Sequence, residues 1–255
     1  MIKEAAHPAF APYRAWLRGD ALPDLAALNA AARERAIASA AGAPIRFADG
    51  RAHGALAYER AVAERGLVAM RAGSPHDVFN ALAWLAFPRA KAALNARHVA
   101  EGAGAGANGR SRARDAATLL DESGIVLACA DDELAALLRA RSWRPLFVDR
   151  RDDVRRTMLP LVVGHGLLVK LLRPYRAATA HALIVRVDAT NVAGVTAGLE
   201  AAVDAAAAAA VAEAALTPAQ FAPVPVAAFP GWDSEGLGER LFDDRSVFRP
   251  LGSEP

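Results

Sequence analysis

The chain has 255 residues, 54% of them apolar and 23% charged, which suits one large globular domain. Its formal net charge of +2 excludes the strong basic field of an obligate nucleic-acid binder. The single cysteine, Cys129, excludes an intrachain disulfide framework and any multi-cysteine metal site.

Nearly all the positive charge is Arg, since Lys occurs only at positions 3, 91 and 170. Together with the Ala excess this is a composition bias, so Arg and Ala counts carry little argument. The N-terminus "MIKEAAHPAFAPYRAW" has no apolar h-region and predicts no signal peptide. The most apolar run, "MLPLVVGHGLLVKLL" (158–172), is too short for a span of about 20 residues and carries His165 and Lys170. The expectation is a soluble cytoplasmic protein with no membrane span.

In chain order, residues 1–22 are rich in Pro and aromatics and read as an irregular segment lying over the core. Residues 23–39 read as a helix, with Pro23 near the start and Gly42 beyond the end. "IRFADG" (45–50) reads as a short strand or turn, 54–66 as a helix ended by Gly66, and "LVAM" (67–70) as a short strand. A long helix follows over 74–101, then the Gly-rich loop 102–114. "ATLLDESGIVLACA" (117–130) places two apolar runs around Asp-Glu-Ser-Gly and predicts a β-hairpin. Helices are predicted over 131–143, 151–172 and 197–216, and "HALIVRVD" (181–188) alternates like a strand. From Thr217 the Pro residues predict an irregular arm to residue 255, anchored by Phe221, Phe229, Trp232, Phe242 and Phe248. The pattern predicts a predominantly helical α+β fold: one domain over 1–255, a core over about 23–216, a small antiparallel sheet with packed helices, and the C-terminal arm.

The helix at 74–101 is the most informative stretch. Ser74 is a good N-cap, Pro75 suits the first helical position, and Asp77 falls at the third, where a carboxylate can answer free N–H groups. His76 sits in the same turn, where a neutral imidazole can accept a proton, bind a metal or bond a neighbouring loop. At about 100° per residue, His76, Asn80, Trp84, Lys91, Asn95 and His98 share one face. On a straight helix His76 and His98 would stand about 33 Å apart, too far for one substrate atom. Pro88 removes the bond to the carbonyl of Trp84; a sharp break there would fold Asn80 and Trp84 beside Lys91 and Asn95, whereas a gentle kink would leave two separate patches. The stripe is then either a ligand face or a buried polar network, and both readings fit the sequence.

Elsewhere, His165 lies between Gly164 and Gly166 in an apolar run, as a core histidine or a second member of the site. Asp121 and Glu122 are assigned to the hairpin turn. Arg114, with Asp115, stands at the end of the Gly-rich loop, placed to close over a site or to form a surface ion pair. The alternating Arg and Asp of 139–156 read as a solvated face. No Walker loop, His-Glu-x-x-His or dinucleotide fingerprint occurs, so no metal and no cofactor is assigned.

Taken together, "HDVFNALAWLAFPRAKAALNARH", "YERAVAERGLVAMR", "RDAATLLDESG", "GHGLLVKLLRPY" and the C-terminal "PGW…VFRP" resemble the bacterial domain of unknown function 3025 family over roughly residues 8–250. The resemblance implies no activity and no catalytic residues. From the residues themselves, two functions remain open. One is a small-molecule or phosphate-ligand site, hydrolytic in character, with His76 and Asp77 as catalytic candidates. Asn80, Trp84, Lys91, Asn95, His98, Arg114 and His165 are then the binding candidates. The other is a non-catalytic module that binds a partner protein, in which the same groups form a structural network.

Overall fold

The structure, a computed structural model, describes residues 6–18, 21–51, 53–71, 73–103, 111–188, 192 and 197–252. Most of the Gly-rich loop, residues 104–110, lies outside them.

The fold is α+β and predominantly helical, as the pattern predicts. In chain order the regular elements begin with α1 (Leu25–Glu34), β1 (Arg46–Asp49), α2 (Ala55–Arg65) and β2 (Leu67–Met70). Next come α3 (Pro75–Ala86), α4 (Pro88–Ala103), α5 (Arg112–Ser123), β3 (Gly124–Cys129) and α6 (Asp132–Arg139). Then follow α7 (Arg151–Thr157), β4 (Met158–Val162), α8 (His165–Leu171), β5 (Thr179–Arg186), α9 (Ala197–Ala212) and β6 (Phe221–Pro225). β1 and β2 form a parallel pair, with Arg46 opposite Leu67. The larger sheet has the order β4-β3-β5-β6. Its outer pairings are antiparallel, but β3 and β5 run parallel at its centre.

Strand chemistry follows position in this sheet. Central β3 is buried at every residue, the continuous apolar run expected of a strand covered on both faces. Proline cannot donate to a ladder, and it is confined here to the two edges: Pro160 in β4, and Pro223 and Pro225 in β6. Two expectations are corrected on this basis. Residues 151–172 are not one helix, because Pro160 is tolerated on an edge strand and not inside a helix, so the chain is α7, β4, α8. The arm from Thr217 is not irregular throughout, because its first apolar run completes the sheet as β6.

The hairpin over 117–130 is also overturned. Ser111 caps a helix by accepting from the N–H of Arg114, and Ala116, Ala117 and Leu120 bury one helical face. α5 therefore runs to Ser123 and passes directly into β3, so Asp121 and Glu122 sit in the last turn of a helix.

Of the two courses open at Pro88, break or gentle kink, the long helix takes the break. α3 ends at Ala86, Phe87 leaves helical geometry at φ −129° and ψ 61°, and Pro88 opens α4. The first amides of α4 are capped from another helix: the buried Asp204 of α9 accepts from the N–H of Arg89 (3.0 Å) and Ala90 (2.8 Å). Arg97 of α4 returns the favour at the far end of α9, donating to the carbonyl of Val211 at 2.9 Å. Burial of Leu199, Val203, Ala207 and Val211 along one line seats α9 against α4.

All five predicted aromatic anchors of the arm are buried. Phe229 and Phe242 pack on Phe147, and Phe248 packs on Trp143. Among the described residues, no helix is long and apolar enough to cross a membrane.

Candidate functional site

The break at Phe87 folds the two halves of the stripe together. Lys91 of α4 donates from Nζ to Asn80 Oδ1 of α3 at 2.8 Å and pairs with Asp121 of α5. The same ammonium stands 5.9 Å from the ring centroid of Trp84. Asn80 in turn donates from Nδ2 to the Tyr58 hydroxyl of α2 at 2.9 Å. Asn95 donates to the Glu59 carbonyl at 2.9 Å and to its Oε2 at 2.7 Å. Lys91, Trp84, Asn95 and His98 are all buried. The Lys91–Asn80–Tyr58 chain is a satisfied polar network that ties α2, α3, α4 and α5 together. His98 borders a cavity of about 20 Å³ beside Glu59, Lys91, Asn95 and Asp121, room for about one water.

Burial opposes ionisation of Asp121, but Lys91 and His165 outweigh it and hold the carboxyl well below the ordinary range. Among the described residues, no cation forms an ion pair with Glu59. Burial pushes its carboxyl up to about 7, against the hydrogen bond from Asn95. Arg114 occupies the first turn of α5, and its charge acts on Glu59 in the lowering direction without overcoming burial.

The N-terminal turn of α3 faces outward. Ser74 caps the N–H of Asp77, as the spacing predicts. The Asp77 carboxylate does not turn back on its own helix as a capping box would. It accepts from the backbone N–H of Arg71 at 2.7 Å and from Nε of its guanidinium at 2.8 Å, with a further bond at Oδ1. Partial burial opposes its ionisation, yet the bonds from Arg71 hold this carboxyl well below the usual carboxylate range. Asp77 Oδ1 also lies 3.2 Å from His76 Nδ1. An ionised carboxylate only accepts, so that nitrogen carries hydrogen and Nε2 faces the other way.

His76, Asp77 and Arg71 border an open cleft of about 600 Å³, together with Arg51, Gly54, Tyr58 and Glu59. That volume suits a small organic ligand. The N-terminus of α2, which has no side-chain cap, also lines it through Gly54 and Ala55.

Behind His76 lies His165, at the first position of α8. The two rings stand edge to face, with centroids 4.4 Å apart. His165 is 4% exposed, and its Nδ1 has no hydrogen-bond partner among the described residues. The flanking glycines explain how a histidine reaches this place. A Cβ on Gly164 would stand 2.4 Å from the backbone nitrogen of Gly124, and one on Gly166 2.6 Å from Glu122 Oε2. Only two residues without side chains allow α8 to start against the end of α5.

Of the predicted residues, the structure thus gathers His76, Asp77 and His165 on one side. It gathers Asn80, Trp84, Lys91 and Asn95 into the buried network, with His98 at the adjoining cavity. Tyr58, Glu59, Asp121 and Glu122 belong to the same cluster and were not predicted as site residues. Helical reading of 112–123 from its Ser111 cap would have put Asp121 and Glu122 on a packed helix end. Nothing local in α2 singles out Glu59.

No curated protein and no solved structure matches the chain. The sequence model of one family, described as protein of unknown function (DUF3025), matches residues 45–252. That stretch includes the broken helix, the glycine-flanked histidine and every residue of the cluster described above, and the chain belongs to this family.

Proposed function

We propose that the chain is a hydrolase acting on a small, anion-bearing molecule bound in the cleft beside His76. The observation that carries this reading is the juxtaposition of two proton-transfer groups on one cleft. His76 is oriented through Nδ1 by Asp77 and directs Nε2 away from it, while the Glu59 carboxyl titrates at about 7. A group that holds its proton near neutral pH beside an oriented imidazole is a pairing suited to acid–base hydrolysis. His76 acts on the attacking water. Glu59 gives its proton to the leaving-group oxygen as the scissile bond breaks. Arg51 and the uncapped N-terminus of α2 supply the positive potential for a phosphate or carboxylate.

A second reading, a non-catalytic module, draws support from the burial of Lys91 and Asn95. These serve the fold and are not placed to orient a substrate in the cleft. The two readings divide the original stripe between them.

The test is turnover of a panel of chromogenic phosphate monoesters and carboxylic esters by the full chain. The reading expects at least one to be hydrolysed saturably, with kcat reduced about 100-fold or more in Glu59→Gln and His76→Ala. Turnover of none of the panel, or turnover unchanged in both variants, contradicts it.

A further inference from the structure

We propose that His76, Glu122 and His165 bind one divalent transition-metal ion at the inner wall of the cleft. The three side chains come from α3, α5 and α8, and one ligand atom from each lies within 4.8 Å of the others. Glu122 stands between the histidines: Oε2 is 3.5 Å from His76 Nε2, and Oε1 is 3.6 Å from His165 Nε2. Both contacts are longer than a hydrogen bond. Both are close to the separation of about 3.4 Å expected between neighbouring ligands of a four-coordinate ion with bonds of about 2.1 Å.

The surroundings have the form of a metal site's outer layer. A ligating histidine usually donates its other ring N–H to a carboxylate, which fixes the ring and its tautomer. Here His76 has such a carboxylate, Asp77 at 3.2 Å from Nδ1, while the Asp121 oxygen facing His165 Nδ1 stands at 3.7 Å, beyond hydrogen-bond reach. Both rings turn Nε2 toward Glu122. Asp77 and Asp121 are themselves fixed, by Arg71 and Lys91 respectively. The independent sign is His165, a buried imidazole whose Nδ1 has no hydrogen bond among the described residues while its Nε2 points at Glu122 without reaching it. A purely structural core histidine would be expected to have settled that debt. Two imidazoles and one carboxylate select a borderline ion such as Zn²⁺, Co²⁺ or Fe²⁺ over Mg²⁺ or Ca²⁺, which prefer oxygen ligands.

This inference rests on the proposed reading in placing the reacting end of the ligand at His76, and changes what His76 does there: it holds an ion in place of drawing the proton from water itself. The experiment is isothermal titration calorimetry of the full chain, stripped with EDTA, against Zn²⁺, with Co²⁺ absorption as a second readout. One ion per chain is expected, with affinity lowered at least about tenfold in both His76→Ala and Glu122→Gln. Both side chains are partly exposed, at 40% and 49%, so the variants retain the fold, which circular dichroism checks. Absence of saturable one-site binding, or unchanged affinity in either variant, overturns the site. Hydrolysis that survives EDTA in a chain that binds no Zn²⁺ removes the metal and leaves the hydrolytic reading standing. Zn²⁺ binding without turnover does the reverse.

Discussion

Lys91 Nζ and Asn80 Oδ1 meet at 2.8 Å across the break at Phe87, although they belong to different helices, α3 and α4. This single bond answers the question raised by the polar stripe. The two halves do converge, but into a buried network; the cleft belongs to the turn before them. The proposed function therefore assigns binding to the turn at His76, and the fold assigns stability to Asn80 and Lys91.

That division predicts opposite responses to truncation. Lys91→Met leaves Asp121 as an uncompensated, largely enclosed carboxylate and should cost about 3 kcal/mol in urea unfolding. The double variant Lys91→Met/Asp121→Asn should cost less than the sum of the two single changes. His76→Ala, at a half-exposed position, should stay within about 0.5 kcal/mol of the parent. A His76→Ala loss as large as that of Lys91→Met would place His76 in the structural network instead.

Asp204 should matter to α4 as a cap supplied in trans. Asp204→Ala removes the acceptors of two first-turn amides and should cost about 1–2 kcal/mol by thermal or urea unfolding, while Asp204→Asn, whose one amide oxygen can keep only one of the two bonds, should recover part of it. Equal losses in both variants would indicate that α4 requires the carboxylate whole, with both acceptors or its charge, and that one retained bond contributes nothing.

The two glycines around His165 should not be equivalent. Alanine at Gly164 would press on the backbone nitrogens of Gly124 and Ser123, at 2.4 and 2.7 Å, which cannot yield without moving β3. Alanine at Gly166 meets first the end of the Glu122 side chain, which can rotate, and then its carbonyl at 2.9 Å. Gly164→Ala should therefore destabilise by about 1–3 kcal/mol and Gly166→Ala by less. Unfolding curves in which Gly166→Ala is the weaker protein would contradict the close approach assigned to Gly164.

Glu59 should impose a pH dependence with a defined sign. Its carboxyl titrates at about 7 in the fold against the ordinary 4.5, so the folded chain holds the extra proton between these values. The stability this contributes is fully present below about 4.5 and is lost as pH rises through 7. Between pH 5 and 8 the loss should be about 2 kcal/mol, read from urea unfolding at each pH. Glu59→Gln should flatten that slope and be the more stable protein at pH 8. A parent chain equally stable at both pH values would show that Glu59 ionises normally.

The sequence discloses local features more readily than convergent ones. The Ser74 cap, the break at Pro88, the short strands β1 and β2 and the aromatic anchors of the arm all rest on signals within a few residues, and each is found in the structure. The parallel pairing of β3 with β5 is not such a signal, because it joins segments separated by α6, α7, α8 and the edge strand β4. Asp121 and Glu122 illustrate the cost of one wrong element. Taken as a hairpin turn, they face solvent; taken as the last turn of α5, they stand between Lys91, His76 and His165. Glu59 was beyond local reading altogether. Its raised titration comes from burial among α4 and α5, and its own helix shows only an ordinary charged face.

The central claim is that the wall formed by His76 and His165 is a ligand site and not only a packed corner. Its most direct test is the side-chain ¹⁵N–¹H NMR spectrum of the histidines during titration with a small phosphate monoester. Saturable shifts of the His76 and His165 resonances are predicted, with His7 and His98 unmoved. No shift at His76 and His165 at saturating concentration, or shifts confined to other histidines, would contradict the account.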